Sequence, residues 1–364
     1  MRARQPLSAR RRVVTHRFLV CRTGRQPVVW RPPVATDGTG HDITYMGRML
    51  AVASDLLSDH PGLTFVLTWD LDRLPEVGQH VVAVVQGDED ARIPRWSNDV
   101  LCTFKCYGTR PPWMPPAPRP GLVEALELAH FVRRAARWAP GAVRRVWGGG
   151  HPLRPRPPID PIPLGYYNQD DIPEVRFAER RWSVSFAGSG LDGAHRGGWR
   201  GIVGTPRDRN RRHMHRELLT LSKALPDEPI FIMSQPGFPT LFPGQDRLAR
   251  ELTQSYSELL AHTKLCLVPR GYSPETFRFF EALRAGCVVV CEHLPDHWFY
   301  RGAPVVRIRQ WSELGVVVPG LLGAPRHLED LHRASVEWWE TRCSEGAVGR
   351  FVAQRVRSWL AQPR

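Results

Sequence analysis

The sequence predicts an α/β protein built on doubly wound parallel sheets, and three observations predict it. Short runs rich in Val, Leu and Phe alternate with stretches whose apolar residues recur every three or four positions. The strand-like runs in the second half are apolar almost throughout, as strands buried on both faces must be. The chain has 364 residues, which at roughly 150 residues per domain makes about two domains with two cores.

Residues 1–12 read as a disordered basic arm. Ile43, Met46, Leu50, Ala53 and Leu57 then recur at helical spacing, with Asp42 where an N-cap would stand. Thr64–Trp69, His80–Gln86 and Val100–Cys106 read as strands. A proline-rich break over Pro111–Pro120 precedes a helix from about Leu122 to Trp138, and the Gly- and Pro-rich stretch Gly148–Ile172 marks the domain boundary. The expected N-terminal domain is 13–160, the C-terminal domain 161–340, and a last helix lies in 341–364.

The second half alternates more clearly. Strands are expected at Trp182–Phe186, Pro229–Met233, Leu265–Val268, Cys287–Cys291 and Pro304–Ile308. Helices are expected at Arg209–Leu225, around Leu248, Leu252, Tyr256 and Leu259, and at Pro274–Ala285. Two or three more helices close the chain, the last from about Ala347 to Leu360.

Composition narrows the function. With 42% hydrophobic and 24% charged residues the chain is not a disordered or collagen-like polymer. No run approaches the ~18 apolar residues of a spanning helix, and the basic first thirty residues lack a signal-peptide pattern, so a soluble, cytoplasmic protein is expected. Seven cysteines, an odd number thinly spread, fit reduced thiols. Cys102 and Cys106 share a strand face, but no second pair joins them to make a zinc site. The net charge of +14 is concentrated: residues 1–36 hold nine Arg and no acid, and 132–216 hold 17 Arg against 7 Asp or Glu. Two basic regions point to a bound anion such as a phosphate, a nucleic acid or a membrane surface.

The segment Lys264–Glu292, KLCLVPRGYSPETFRFFEALRAGCVVVCE, is the most informative. A strand ends in the turn Pro269-Arg270-Gly271-Tyr272, Ser273 stands as N-cap and Pro274 at the first helical position, and Gly286 fits the C′ position before the next strand. A helix N-terminus at the carboxyl end of a strand favours anions. Arg270 just before it and Glu281 further along could hold the diphosphate and ribose of a nucleotide sugar. On spacing alone, a capped βαβ unit that binds nothing, with Glu281 paired to Arg278 or Arg284, is an equal reading.

The run resembles the exostosin-type glycosyltransferases. Their Cys-x-x-Pro-x-Gly turn and Arg-x-Phe-Glu-Ala-x-x-x-Gly-Cys helix are matched by Cys266, Pro269, Gly271, Arg278, Phe280, Glu281, Ala282, Gly286 and Cys287. RRWSVSFAGS, Arg180–Ser189, is similar to the family's basic-aromatic lead into a Phe-x-Gly strand. The match spans roughly residues 175–320. It implies a GT-B fold, two facing Rossmann-like domains with the donor on the C-terminal one, and inverting transfer from a nucleotide sugar, usually UDP-linked, without an obligatory metal or other cofactor. Two departures stand out. The N-terminal membrane helix of animal and plant members is lacking, which fits a soluble bacterial-type enzyme. Val288-Val289-Val290 follows Gly-Cys where Pro is frequent, which leaves the donor's identity open.

Inverting transfer needs a base on the acceptor hydroxyl and stabilisation of the leaving diphosphate. The donor side is expected to use Ser189, Arg270, Gly271, Tyr272, Ser273, Thr276, Arg278 and Glu281. Arg209 and Arg212 are read as a solvated face. On the acceptor side His41, oriented by Asp42, and Asp88 at a strand's carboxyl end are alternative bases, with Asp70 third. The acceptor would be a glycan, a lipid-linked sugar or a small molecule, and the basic arm suggests peripheral contact with an anionic membrane. Two other functions compete: a non-catalytic polyanion or nucleic-acid binder, against which stands the lack of any recognised module, and an inactive GT-B scaffold.

Overall fold

In a computed structural model, the structure describes residues 16–33, 41–110, 122–147, 156–167, 171–188, 205–234 and 256–362. The first sheet comprises β1 (Arg17–Cys21), β2 (Val28–Trp30), β3 (Thr64–Thr68), β4 (Gly78–Val85), β5 (Val100–Lys105) and β6 (Ile159–Pro161), in the order β2-β1-β3-β4-β5-β6. All neighbours are parallel except β1 and β2. The second sheet comprises β7 (Trp182–Gly188), β8 (Ile230–Ser234), β9 (Thr263–Val268), β10 (Val288–Cys291) and β11 (Val306–Arg307), in the order β11-β10-β9-β7-β8 and parallel throughout.

The helices are α1 (Thr44–Leu56), α2 (Leu122–Trp147), α3 (Pro206–Ala224), α4 (Phe277–Arg284), α5 (Leu314–Leu322), α6 (Pro325–Trp338) and α7 (Glu345–Leu360), with a π-helical turn at Trp339–Cys343 between the last two. The strands β3, β4 and β5 and all five strands of the second sheet lie where the apolar runs predict, whereas β1, β2 and β6 were not expected, and β3, β4 and β5 follow one another without an intervening helix.

Four local expectations are corrected. Asp42 does not cap α1: the N-cap is Ile43, with no side-chain hydrogen bond, and the Asp42 carboxylate takes Arg22 instead, at 2.5 Å. Ser273 and Pro274 do not open α4, whose N-cap is Thr276. Ser273 is buried and its Oγ accepts only a long contact from Glu275 N, at 3.4 Å. Helix α2 continues past Trp138 and through Pro140 to Trp147. The strand expected to end at Cys106 stops at Lys105. The arm 1–12, the break 111–120 and residues 248–255 lie outside the described residues, while 256–261 are helical. Gly286, expected at C′, has φ +66°, the left-handed conformation that glycine adopts without cost.

The core is continuous across the two halves. One apolar cluster joins Tyr45, Met49 and Phe65 around the first sheet to Phe279, Phe280 and Tyr300 of the second half, and to Trp339, Val348 and Val352 near the C-terminus. Helix α7 crosses back onto α1 so closely that a Cβ on Gly349 would lie 2.8 Å from the Met49 carbonyl. Tyr45 donates its hydroxyl to the Cys343 carbonyl at 2.6 Å, and Arg355 pairs with Asp160 at 2.9 Å. The other face of the second sheet packs Val184, Phe186, Leu265 and Val290 against Met214, Leu218, Trp311 and Val318. All seven cysteines are free and buried, as the odd count predicts.

Candidate active site

The second sheet reverses its winding between β7 and β9: β8 lies to one side of that pair, β10 and β11 to the other. The crevice outside the carboxyl ends of two such strands is where an α/β sheet accommodates a ligand, because the connections leave in opposite directions and open a gap. Here it is lined by arginines. Arg278, on α4 just past the end of β9, is buried and places its guanidinium over the Phe186 ring at 5.3 Å. It passes Gly188, the last residue of β7, where any Cβ would be 2.4 Å from its Nη2.

Helix α3 supplies the rest. Its start is secured by a capping box, in which Thr205 and Asp208 each accept from the other's backbone. Arg207 and Arg211 are four apart and so share a face of this helix. Arg211 is 5% exposed, and its guanidinium is pushed down to about 8, first by burial and then by the positive charges of Arg278 and Arg207. Three cations crowded at a sheet's carboxyl edge form a pocket of positive potential that an anion would relieve. Glu89, after β4 of the first sheet, contributes negative charge to Arg134, Arg207 and Arg211 from across the gap.

A chain of bonds holds α3 in place. Trp311 Nε1 donates to Asn210 Oδ1 at 3.1 Å, and Asn210 Nδ2 donates to both oxygens of Glu292, at 2.6 and 2.8 Å. Arg270 interacts with the same Glu292, so it is anchored to the end of β10. Arg180 performs a similar task behind the site: it is buried and donates to the carbonyls of Thr263 and Ala285, both at 2.8 Å, fastening the end of α4 to the start of β9.

Glu281 is 4% exposed and accepts the backbone N–H of Tyr167 at 3.1 Å. Tyr167 packs edge-on against Phe277, with ring centroids 5.8 Å apart. The same tyrosine feels the charges of Asp42 and Arg22 from the first half, and burial raises its hydroxyl pKa. Arg22 lies over Trp69 at 4.3 Å, and Gln86 donates to the Asp42 carbonyl at 2.9 Å. Asp42 therefore stands half-buried on the first-sheet side, near enough to Tyr167 for its charge to act on that hydroxyl.

Asp88 occupies a different environment. Its φ of +138° is unusual for a non-glycine residue, and its side chain is 3% exposed. Its carboxylate meets Lys105 Nζ at 3.2 Å, Arg92 Nε at 3.0 Å and Arg92 N at 2.6 Å. Two cations and a backbone donor thus surround this carboxylate. Beside it Glu275 is fully buried; burial raises its carboxyl to about 8, while one oxygen accepts Tyr107 N at 2.9 Å. A cavity of about 440 Å³ opens next to this cluster, between Tyr107 and Arg110 on one side and Ser273, His293 and His297 on the other.

Of the expected donor-side residues, the structure thus brings Arg278 and Glu281 to the crevice. Gly271 and Tyr272 form the turn before α4, where Gly271 N donates to the Ser273 carbonyl at 3.0 Å and the Tyr272 carbonyl accepts from Arg134. Thr276 caps α4 by position, without a side-chain bond. Ser189 and the side chain of His41 lie outside the described residues. Asp70 turns its carboxylate to Asp72 N and Arg73 N, an ordinary capped turn. Sequence reasoning missed Arg207, Arg211, Lys105 and Glu275. The i,i+4 spacing of Arg207 and Arg211 was a visible signal; nothing in the sequence marks Lys105 and Glu275, which meet only across the two halves.

Residues 157–320 match the family model of the Exostosin GT47 domain. The chain is 43% identical over 63 residues to the Exostosin-1 homolog of Caenorhabditis elegans, covering 17% of this chain and 15% of that protein. It is 34% identical over 83 residues to Exostosin-1 of Bos taurus, covering 22% and 10%. The chain thus spans a minor part of the length of these relatives. Similar solved structures include WaaG, a glycosyltransferase involved in lipopolysaccharide biosynthesis, at 12% identity, TM-score 0.40, and coverage of 93% of this chain and 99% of that one. They also include Anabaena HepE in complex with UDP-glucose, at 12% identity, TM-score 0.38, and coverage of 94% and 100%. An α1,3-fucosyltransferase with GDP matches at 9% identity, TM-score 0.39, and coverage of 100% and 94%. Two parallel Rossmann-like sheets, each with its own helices, make up the GT-B architecture that the sequence resemblance implies.

Proposed function

We propose, from the match of residues 157–320 to the Exostosin GT47 domain, that the chain is a glycosyltransferase using a nucleotide-sugar donor. The single observation that carries this reading is the crowding of Arg207, Arg211 and Arg278 at the winding reversal of the second sheet, with Arg211 and Arg278 buried. A diphosphate would add negative charge beside these groups, and it gains further charge as the glycosidic bond breaks. Arginines already in place stabilise that leaving group without reorganising. Glu281, fixed by Tyr167 N, is positioned to accept hydrogen bonds from ribose hydroxyls.

The acceptor approaches from the first sheet. Its hydroxyl oxygen attacks the anomeric carbon with inversion, its proton passes to a base, and the nucleoside diphosphate departs; no metal is required. Asp42 with its neighbour His41, or Asp88, supplies the acceptor-side base; both carboxylates stand beside cations, Asp42 beside Arg22 and Asp88 beside Lys105 and Arg92. UDP is the favoured nucleotide, and a glycan, a lipid-linked sugar or a small molecule the acceptor.

A thermal-shift screen with UDP, GDP, TDP and CMP, each with its sugars, tests the reading. A ligand at 100-fold over its dissociation constant raises stability by about 2.7 kcal/mol. Arg211→Ala should abolish that shift and the hydrolysis or transfer of the same donor, with an unchanged circular dichroism spectrum. No shift with any nucleotide sugar would overturn the proposal.

A further inference from the structure

Among the described residues eleven large apolar side chains stand exposed, and five of them lie on one helix, α2: Leu128, Val132, Val143, Val146 and Trp147. Each is more than half exposed, and Trp147 is 82% exposed. At 100° per residue they fall within an arc of about 100°, a continuous apolar stripe. Exposed Arg133, Arg137 and Arg144 follow along one border of it. Between Leu128 and Trp147 there are five arginines and no acidic residue.

The opposite face of α2 is fastened to the protein. Trp138 Nε1 donates to the Thr109 carbonyl at 2.6 Å, Arg145 donates to the Pro157 carbonyl at 2.6 Å, and Arg134 donates to the Tyr272 carbonyl. Gly141 lets the helix settle on Ile93, whose carbonyl would be 2.9 Å from a Cβ at that position. The apolar stripe is therefore held facing outward and is not a helix caught turned the wrong way.

We propose that this face of α2 docks the protein on an anionic membrane surface, with the apolar stripe in the interfacial layer and the arginine border against lipid headgroups. A helix with an apolar face, a basic border and an exposed Trp meets the requirements of an interfacial helix. Charge complementarity identifies the partner: the chain carries +14, nine arginines lie in its first 36 residues, and each basic residue near an anionic leaflet adds about 1 kcal/mol. An apolar protein partner would not need the arginine row, in which Arg137 also pairs with Asp90 at 2.5 Å.

The test is sedimentation of the full chain with vesicles of phosphatidylcholine alone and of phosphatidylcholine mixed with phosphatidylglycerol. Wild type should pellet with the mixed vesicles, release with added salt, and pellet poorly with phosphatidylcholine alone. Arg133→Gln with Arg144→Gln should weaken partitioning about thirtyfold. Val132→Glu with Val143→Glu should abolish it, and melting should be unchanged in both because only exposed side chains are altered. Val143→Cys, the one accessible thiol in a chain whose own cysteines are buried, should shift the emission of an attached environment-sensitive dye to the blue on adding mixed vesicles. Absence of wild-type binding, equal binding to both vesicle types, or variants that pellet like wild type would overturn the proposal. So would a lipid-free dimer in sedimentation velocity that Trp147→Glu makes monomeric, since the stripe would then be covered by a second copy.

Discussion

A Cβ on Gly188 would lie 2.4 Å from Nη2 of Arg278 and 2.9 Å from its Cζ. The guanidinium reaches the crevice across the end of β7 because residue 188 has no side chain, and the Phe186 ring supports it there. Gly188→Ala should therefore push Arg278 off Phe186 while leaving β7 paired to β8 and β9. A charged hydrogen bond is worth roughly 1.5–3 kcal/mol, so nucleoside diphosphate affinity by calorimetry should fall about tenfold or more. Unchanged affinity would show that Arg278 does not meet the diphosphate.

Lys105 and Asp88 form an ion pair with both side chains essentially out of solvent. Removing Lys105 leaves the buried Asp88 carboxylate with Arg92 as its remaining cation. Lys105→Met should therefore destabilise the fold by chemical denaturation, but by less than the roughly 3–5 kcal/mol of a fully stranded buried charge. Adding Asp88→Asn should recover part of that loss. A single variant as stable as wild type would mean that water reaches the pair.

Glu275 sets a pH dependence of stability. Its carboxyl is raised from 4.5 to about 8 by burial, so the folded chain keeps a proton that the unfolded chain releases. The folded state then binds more protons between about pH 4.5 and 8, and its stability falls as pH rises through that window. Glu275→Gln keeps an oxygen for Tyr107 N and has no proton to lose. It should match wild type near pH 4.5 and exceed it increasingly towards pH 8 in urea melts. Parallel curves across the window would contradict the assignment.

The thiols should be silent in the native protein. All seven are buried, and burial raises those of Cys266, Cys287 and Cys291 above the ordinary value, which disfavours the reactive thiolate. A thiol-disulfide colorimetric reagent should titrate fewer than one per chain in buffer and seven in denaturant. Rapid reaction of one thiol without denaturant would reveal local opening.

Much of the fold was legible because strands and helices obey local rules. Val81–Val85 and Val288–Val290 are uniformly apolar and both are central strands. Met46, Leu50 and Ala53 at helical spacing are the buried face of α1. Gly286 marked the end of α4 because a positive φ needs a glycine. Cap positions were less legible. Ser273 looked like an N-cap by residue type, yet tertiary packing buries it and delays α4 to Phe277. Asp42 likewise gave its carboxylate to Arg22, twenty residues away, in preference to the helix beside it.

The sequence by itself determined β3 to β5, the five strands of the second sheet, the reduced cysteines, and the Arg278–Cys287 helix that carries the family resemblance. Those are consequences of periodicity and of residue types at short spacing. Only the tertiary structure decided which charges matter. It buried Arg211 beside Arg278, enclosed Asp88 between Lys105 and Arg92, and brought Glu275 to Tyr107 across 168 residues of chain. It also turned the apolar side of α2 outward. Electrostatic roles depend on burial and on neighbours distant in sequence, and neither is written in the spacing of residues along the chain.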